Sequence, residues 1–433
     1  MKLRRLLLGS AATVVAGFLA INAINANSGG PPPSTLPTNP SGSTGTNSAT
    51  SSTGISFDPR SALVEPYSNT MPWRQPAATF GRSEALERYV DRYWDYSDRD
   101  AWDKPELKGR AFLTTGDYSV PVFDARKATR TRKYFITDWG WGQDGVIPWD
   151  DSFTGGGGSD NGVVVHNPDT GEIWAVWADQ GANFTGCLGK MLKGYSAFTD
   201  MCVGSAYKML NDDGTSADAR NWSGEFVSLG NGMPPMSALV TSWEVASGKI
   251  PHALSATVFN PMFGPACTPE QMSTEAAGVD CGFYVAPATR IEHVEGAHTG
   301  CNVRNEPNTP AWRSKTIPHG LRLALNVTDD EINQWLDRRG FSEPLRTTAR
   351  VFAVAMRDYG WIVTVTGCSS VAFQVDGFKN PDSKAIWEQL GITSNDVSAT
   401  LLDGLMTRDR LYAVTPSPPI RTTKQPAPGR FPN

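Results

Sequence analysis

The residues best suited to chemistry are His252 and Glu244, eight positions apart in the segment LVTSWEVASGKIPHAL. An imidazole with a carboxylate nearby can take or give a proton close to neutral pH, so the two form a candidate general acid/base pair. Asp160, just before a strongly apolar strand, is the candidate orienter and completes the catalytic set. The same residues also admit a structural reading, in which His252 is hydrogen-bonded at a strand end and Asp160 caps a turn. For substrate contact the candidates are Trp177 and Tyr359 as stacking platforms, with Asn161 and Arg322 as polar partners. The chain has 14 Trp, which fits sugar binding, because the C–H faces of a pyranose pack on indole rings. A β-rich core with many aromatics would produce the same count.

Other chemistries lack their signatures. No G-x-S-x-G elbow, H-E-x-x-H helix or G-x-x-x-x-G-K-[ST] loop occurs, which removes the common serine hydrolase, zincin and P-loop explanations. The run Gly155, Gly156, Gly157, Gly158 has no strand feeding it and no Lys-Ser/Thr helix after it. It reads as a mobile loop that could border a site. His166 and His319 read as surface groups. No cofactor is implied. Cys281, His293, His298 and Cys301 are chemically able to hold zinc, but no tight ligand pair supports such a site, and no metal is assigned.

These groups need a scaffold, and composition constrains it. There are 39 Lys+Arg against 44 Asp+Glu, a net charge of −5, so no basic surface favours nucleic acid. Hydrophobic residues make up 39% and charged residues 19%, enough for a large core. With 42 Gly and 31 Pro, long helices are repeatedly interrupted, which excludes a helical bundle or coiled coil.

Residues 1–26 place Lys2, Arg4 and Arg5 ahead of an apolar run that ends in small residues, the layout of a secretory signal or, left uncleaved, of an N-terminal anchor. Residues 27–54 are almost wholly Ser, Thr, Gly, Pro and Asn, too polar to offset their ordering entropy, and read as a flexible linker. Residues 55–416 form a single β-rich extracytoplasmic domain, and the Pro-rich tail 417–433 reads as disordered. Export makes disulfides the simplest use of six cysteines. The preferred pairing joins Cys187 to Cys202 and Cys267 to Cys281, leaving Cys301 with Cys368.

Periodicity predicts a helix over residues 83–96 with Ser83 as N-cap, and two more over 346–359 and 382–390. Strands are predicted near residues 118–123, 132–137, 251–259, 321–325, 361–366 and 371–375. The clearest unit is a hairpin over 162–177, whose two apolar arms flank the turn Asn167-Pro168-Asp169-Thr170-Gly171. The expected fold is mainly β, an antiparallel β-sandwich or jelly-roll with three or four peripheral helices.

Over residues 118–392 the chain resembles a group of secreted, mostly uncharacterised bacterial proteins. Their pattern runs D-x-H before a V-V-D strand, then E-x-x-x-G-x-I-x-H-A-L, then Y-G-x-x-V-x-D-x-G. Asp160, Trp177, Glu244, Gly248, His252, Arg322, Tyr359, Gly360 and Gly367 match it. Asn161 stands where the pattern has His, Ala175 where it has an acidic residue, and Val365 where it has Asp. The resemblance implies a secreted, β-rich, carbohydrate-directed protein.

Together these readings describe a secreted or surface-tethered protein whose expected partner is a polysaccharide or cell-wall glycan, acting as a glycoside hydrolase or polysaccharide lyase. The other reading is a non-catalytic glycan-binding or structural module. Both expect a monomer that meets the membrane only through an N-terminal anchor.

Overall fold

The computed structural model describes residues 62–142, 144–177, 200–211, 215–221, 229–292, 309–367, 369–420 and 429–431, with backbone alone at 137–142. Every described residue belongs to the compact unit Ser51–Asn433.

Twelve strands form two six-stranded sheets among the described residues. In chain order they are β1 Phe112–Leu113, β2 Val122–Asp124, β3 Arg130–Gly142, β4 Gly145–Trp149, β5 Val163–His166, β6 Ile173–Trp177, β7 Met201–Lys208, β8 Leu254–Val258, β9 Arg322–Leu325, β10 Trp361–Thr366, β11 Ala372–Phe373 and β12 Leu411–Ala413. The first sheet runs β1-β11-β8-β10-β9-β12 and the second β2-β5-β6-β7-β3-β4. The helices are α1 Arg88–Tyr96, α2 Ser242–Ala246, α3 Pro269–Met272, α4 Pro310–Arg313, α5 Asp329–Arg339, α6 Leu345–Asp358, α7 Pro381–Gln389 and α8 Asn395–Thr400.

The expectation of an antiparallel, mainly β fold needs correction. Both sheets are mixed: β1 with β11, β8 with β10, β2 with β5, and β3 with β7 run parallel. Helix accounts for 27% and strand for 23%, and the helices exceed the three or four expected. The reason lies in burial. Strands such as β8 and β9 are covered almost throughout, so they carry unbroken apolar runs that do not reveal strand direction. Parallel neighbours also require long connections, and the chain between the parallel strands β8 and β10 runs through α3, α4, β9, α5 and α6.

The second sheet divides its side chains by strand alternation. Val122, Val164 and Ala175 join the main core with Leu254, Leu323 and Trp361 of the first sheet. Phe123, Val163, Val165 and Val176 point into a separate cluster with Ile147 and Val203. The predicted hairpin forms as β5 and β6, closed by Gly171 at φ 73°, and both arms are interior strands. On α6, Ala349, Phe352, Ala353 and Met356 are buried. The predicted Ser83 cap is displaced: α1 begins at Arg88, and the Ser83 N–H instead donates to the Ala413 carbonyl at 2.9 Å.

Cys267 and Cys281 form a disulfide, which removes Cys281 from any zinc set. Cys202 is also disulfide-bonded, whereas Cys187, Cys301, Cys368, His293 and His298 lie outside the described residues. Residues 429–431 of the tail lie against Tyr284, with reciprocal backbone hydrogen bonds at 2.9 Å. Among the described residues, no helix is long and apolar enough to cross a membrane.

Candidate functional site

His252 and Glu244 do meet, and the local sequence explains how. Thr241 caps α2 and Glu244 is the third residue of that helix, so T-S-W-E forms a capping box. Glu244 Oε2 accepts from the Thr241 N–H and hydroxyl, both at 3.0 Å. Glu244 Oε1 lies 3.2 Å from His252 Nε2, and His252 Nδ1 lies 2.7 Å from the Ala253 carbonyl oxygen. Facing an acceptor at each nitrogen, the ring is arranged to carry both protons. Burial opposes its charge, but Glu244, then Glu65 and the Ala253 carbonyl, outweigh it and raise the imidazole above its ordinary pKa. Burial likewise opposes ionised Glu244, yet His252 and Thr241 hold its carboxyl below the usual range.

A second carboxylate closes the cluster. The Glu65 N–H donates to Glu244 Oε1 at 3.3 Å, while Glu65 Oε1 accepts from Trp73 Nε1 at 2.7 Å and Oε2 pairs with Arg74. His252 is 0% exposed, Glu244 3% and Glu65 2%. Two carboxylates thus balance one imidazolium and one guanidinium, sealed from solvent. A proton-transfer group must reach its substrate, and this arrangement instead fastens the 63–75 segment to the body. Asp160 takes no part in it.

Arg322 and Tyr359 lie at the opposite end of β10 from Thr366. The Arg322 guanidinium donates to the carbonyls of Tyr359 at 2.8 Å, Pro72 at 3.1 Å and Gln75 at 2.6 Å. Burial lowers its pKa to about 10. It therefore ties backbone segments together, and Tyr359 is half-buried beside it.

A different set of polar groups gathers where the parallel strands β8 and β10 end. Glu292 Oε2 accepts the Thr366 N–H at 2.9 Å and the Thr366 hydroxyl at 2.6 Å, with His319 Nε2 at 3.9 Å. Val365, Thr366 and Gly367 are only partly covered. Arg290 interacts electrostatically with both Tyr207 and Glu292. Trp177 and Tyr207, on adjacent strands β6 and β7, are half-buried on the side that packs against the main core. Trp177 lies over Gly162, where an added Cβ would come within 2.3 Å of the indole.

Asp160 is exposed in this neighbourhood. The protein mass around it and the nearby Glu292 charge raise its carboxyl pKa, against a hydrogen bond from Ser159. Asn161, at φ 34°, accepts the Gly157 N–H at 3.1 Å through Oδ1, so it closes the glycine loop. That loop is packed tightly, contrary to the mobile reading: a Cβ on Gly156 would lie 1.9 Å from the Ser119 carbonyl oxygen.

Two further expectations change. His166 is 3% exposed and His319 0%, so neither is a surface group. Trp149, Trp174 and Trp243 are core residues, whereas Trp177 is half-buried. Sequence reasoning missed Glu65, Tyr207, Arg290 and Glu292, which carry no local motif. The T-x-x-E spacing of Thr241 and Glu244 is the local signal that could have marked Glu244 as a helix-capping residue. Among the described residues, no group of three or more His, Cys, Asp or Glu is placed to hold a metal ion. In comparisons with known families, curated proteins and solved structures, nothing matches this chain.

Proposed function

We propose that the protein is an extracytoplasmic, glycan-directed hydrolase or lyase whose working surface is the mouth around Asp160, Trp177, Tyr207 and Glu292. The observation that carries this reading is the Glu292 carboxylate, fixed by two donors from Thr366 beside the solvent-accessible Asp160. Glu292 is held by its two Thr366 donors, while the protein mass around Asp160 raises its carboxyl pKa. Two neighbouring carboxyl groups in unlike surroundings suit a division into acid and base. Trp177 and Tyr207 supply aromatic faces for a sugar ring. In this reading the two sheets stack as a sandwich, and residues 27–54 tether the body after export.

The test incubates the oxidised full chain with neutral and uronic acid polysaccharides, following retention and released products. Product release should fall about 100-fold or more in Asp160→Asn and Glu292→Gln. Unchanged release in both variants would remove the mouth as the site. Saturable retention without product would favour the binding module, a reading supported by Ala175 and Val365 standing at two positions that are acidic in the resembling proteins.

A further inference from the structure

Between the C-terminal end of α1 and α4, three aromatic rings surround a positive charge that belongs to the protein itself. The Lys315 ammonium lies 5.3 Å from the ring centre of Tyr96, 5.1 Å from Trp102 and 5.9 Å from Trp312. The rings support one another: Tyr96 and Trp102 meet edge to face at 5.9 Å, and Trp102 and Trp312 lie tilted at 48° with centres 5.3 Å apart. The Trp102 N–H is fixed to the Tyr96 carbonyl at 2.9 Å. Phe259 packs against both tryptophans, at 5.4 Å and 6.0 Å.

We propose that Tyr96, Trp102 and Trp312 form a binding box for the quaternary ammonium of a phosphocholine group, held closed in this structure by Lys315. Aromatic faces attract cations through the ring quadrupole, and three rings around one cation is the arrangement used for quaternary ammonium ligands. Lysine is a weak occupant because its compact ammonium is strongly hydrated. A trimethylammonium gives up less hydration and touches several rings at once.

Two further observations point to the rest of the ligand. Trp312 is 3% exposed, and its Nε1–H has no acceptor among the described residues. An oxygen a few bonds from the ammonium would satisfy it, as a choline ester provides. The Arg99 guanidinium lies 5.5 Å over the neighbouring Phe259 ring, positioned to balance a phosphate. The gate is confined to one side chain. The Lys315 N–H donates to the Trp312 carbonyl at 2.9 Å, and its own carbonyl accepts from Asn260 Nδ2 at 2.5 Å. The backbone is therefore pinned while the half-buried side chain can swing outward.

Titration of the full chain with phosphocholine and with choline chloride, read by tryptophan fluorescence and calorimetry against sodium chloride at equal ionic strength, tests this. Both ligands should bind saturably, and Lys315→Ala should tighten binding about threefold to fivefold by removing the internal competitor. Arg99→Ala should weaken phosphocholine while sparing choline. Trp102→Leu, which keeps an apolar side chain but removes the ring quadrupole, should abolish binding while thermal melting shows the fold intact. Absence of saturable binding in both wild type and Lys315→Ala would overturn the proposal, as would binding indifferent to Trp102→Leu. Co-sedimentation with phosphatidylcholine vesicles, compared with phosphatidylglycerol vesicles, separates a lipid headgroup from a soluble or polymer-borne phosphocholine.

Discussion

The His252 imidazolium is held, at 0% exposure, between a carboxylate and a carbonyl, so removing it leaves Glu244 and Glu65 with Arg74 to balance them. Breaking a buried pair in this way costs about 3–5 kcal/mol, and His252→Ala should lose about that much in urea unfolding. The pH dependence has a definite sign. Because folding raises the His252 pKa, its contribution is complete below the ordinary imidazole value and disappears as pH rises through the raised one. The wild-type urea midpoint should therefore fall as pH rises above the ordinary imidazole value, and His252→Ala should flatten that decline. Asp376 acts in the same direction at lower pH. Burial raises it to about 6 despite donors from Ser242 and Trp387, so its share is lost as pH rises from about 4 toward 6.

Among the elements, the glycine loop gives the sharpest expectation. A methyl group on Gly156 would lie 1.9 Å from the Ser119 carbonyl oxygen and 3.3 Å from Pro121, so backbone must move to admit it. Gly156→Ala should lower the melting temperature and disturb Asp160, which lies beyond the loop; an unchanged melt would show that the loop yields easily. Four glycines in sequence suggest freedom, but here they permit close approach. This contrast marks what the sequence could reveal. β10 was readable to the residue because Gly360 and Gly367 bracket WIVTVT, and the β5–β6 hairpin because its turn chemistry is local. Helix α5 was overlooked although Thr328 and Glu331 form a capping box and Gly340 ends it at φ 64°. Strand direction was unreadable because it depends on crossovers.

The same locality limits what could be known of the site. Asp160 and Trp177 were found beside an obvious strand, whereas Glu292 gains meaning only from Thr366, 74 residues away. His252 and Glu244 were correctly associated, but their closure depends on Glu65, 179 residues before Glu244, and no motif announces so distant a lid. The Cys267–Cys281 link closes a sequence separation of 14 residues. Replacing both cysteines with serine should cost about 3 kcal/mol, read as a lower denaturation midpoint; an equal midpoint would assign the stability of that region to packing alone.

The first sheet draws its outer strands from residues 112–113 and 411–413, with β9 paired to β12 and the Arg82–Val414 bridge beside them. No early stretch of the chain can finish this sheet by itself. During synthesis, β8 must wait for β10 and β11, and β9 remains without its full set of neighbours until residues 411–413 emerge. Such distant pairing delays closure and leaves bare strand edges open to other chains. The molecule's period of greatest vulnerability to aggregation therefore falls late, after most of its length has been made.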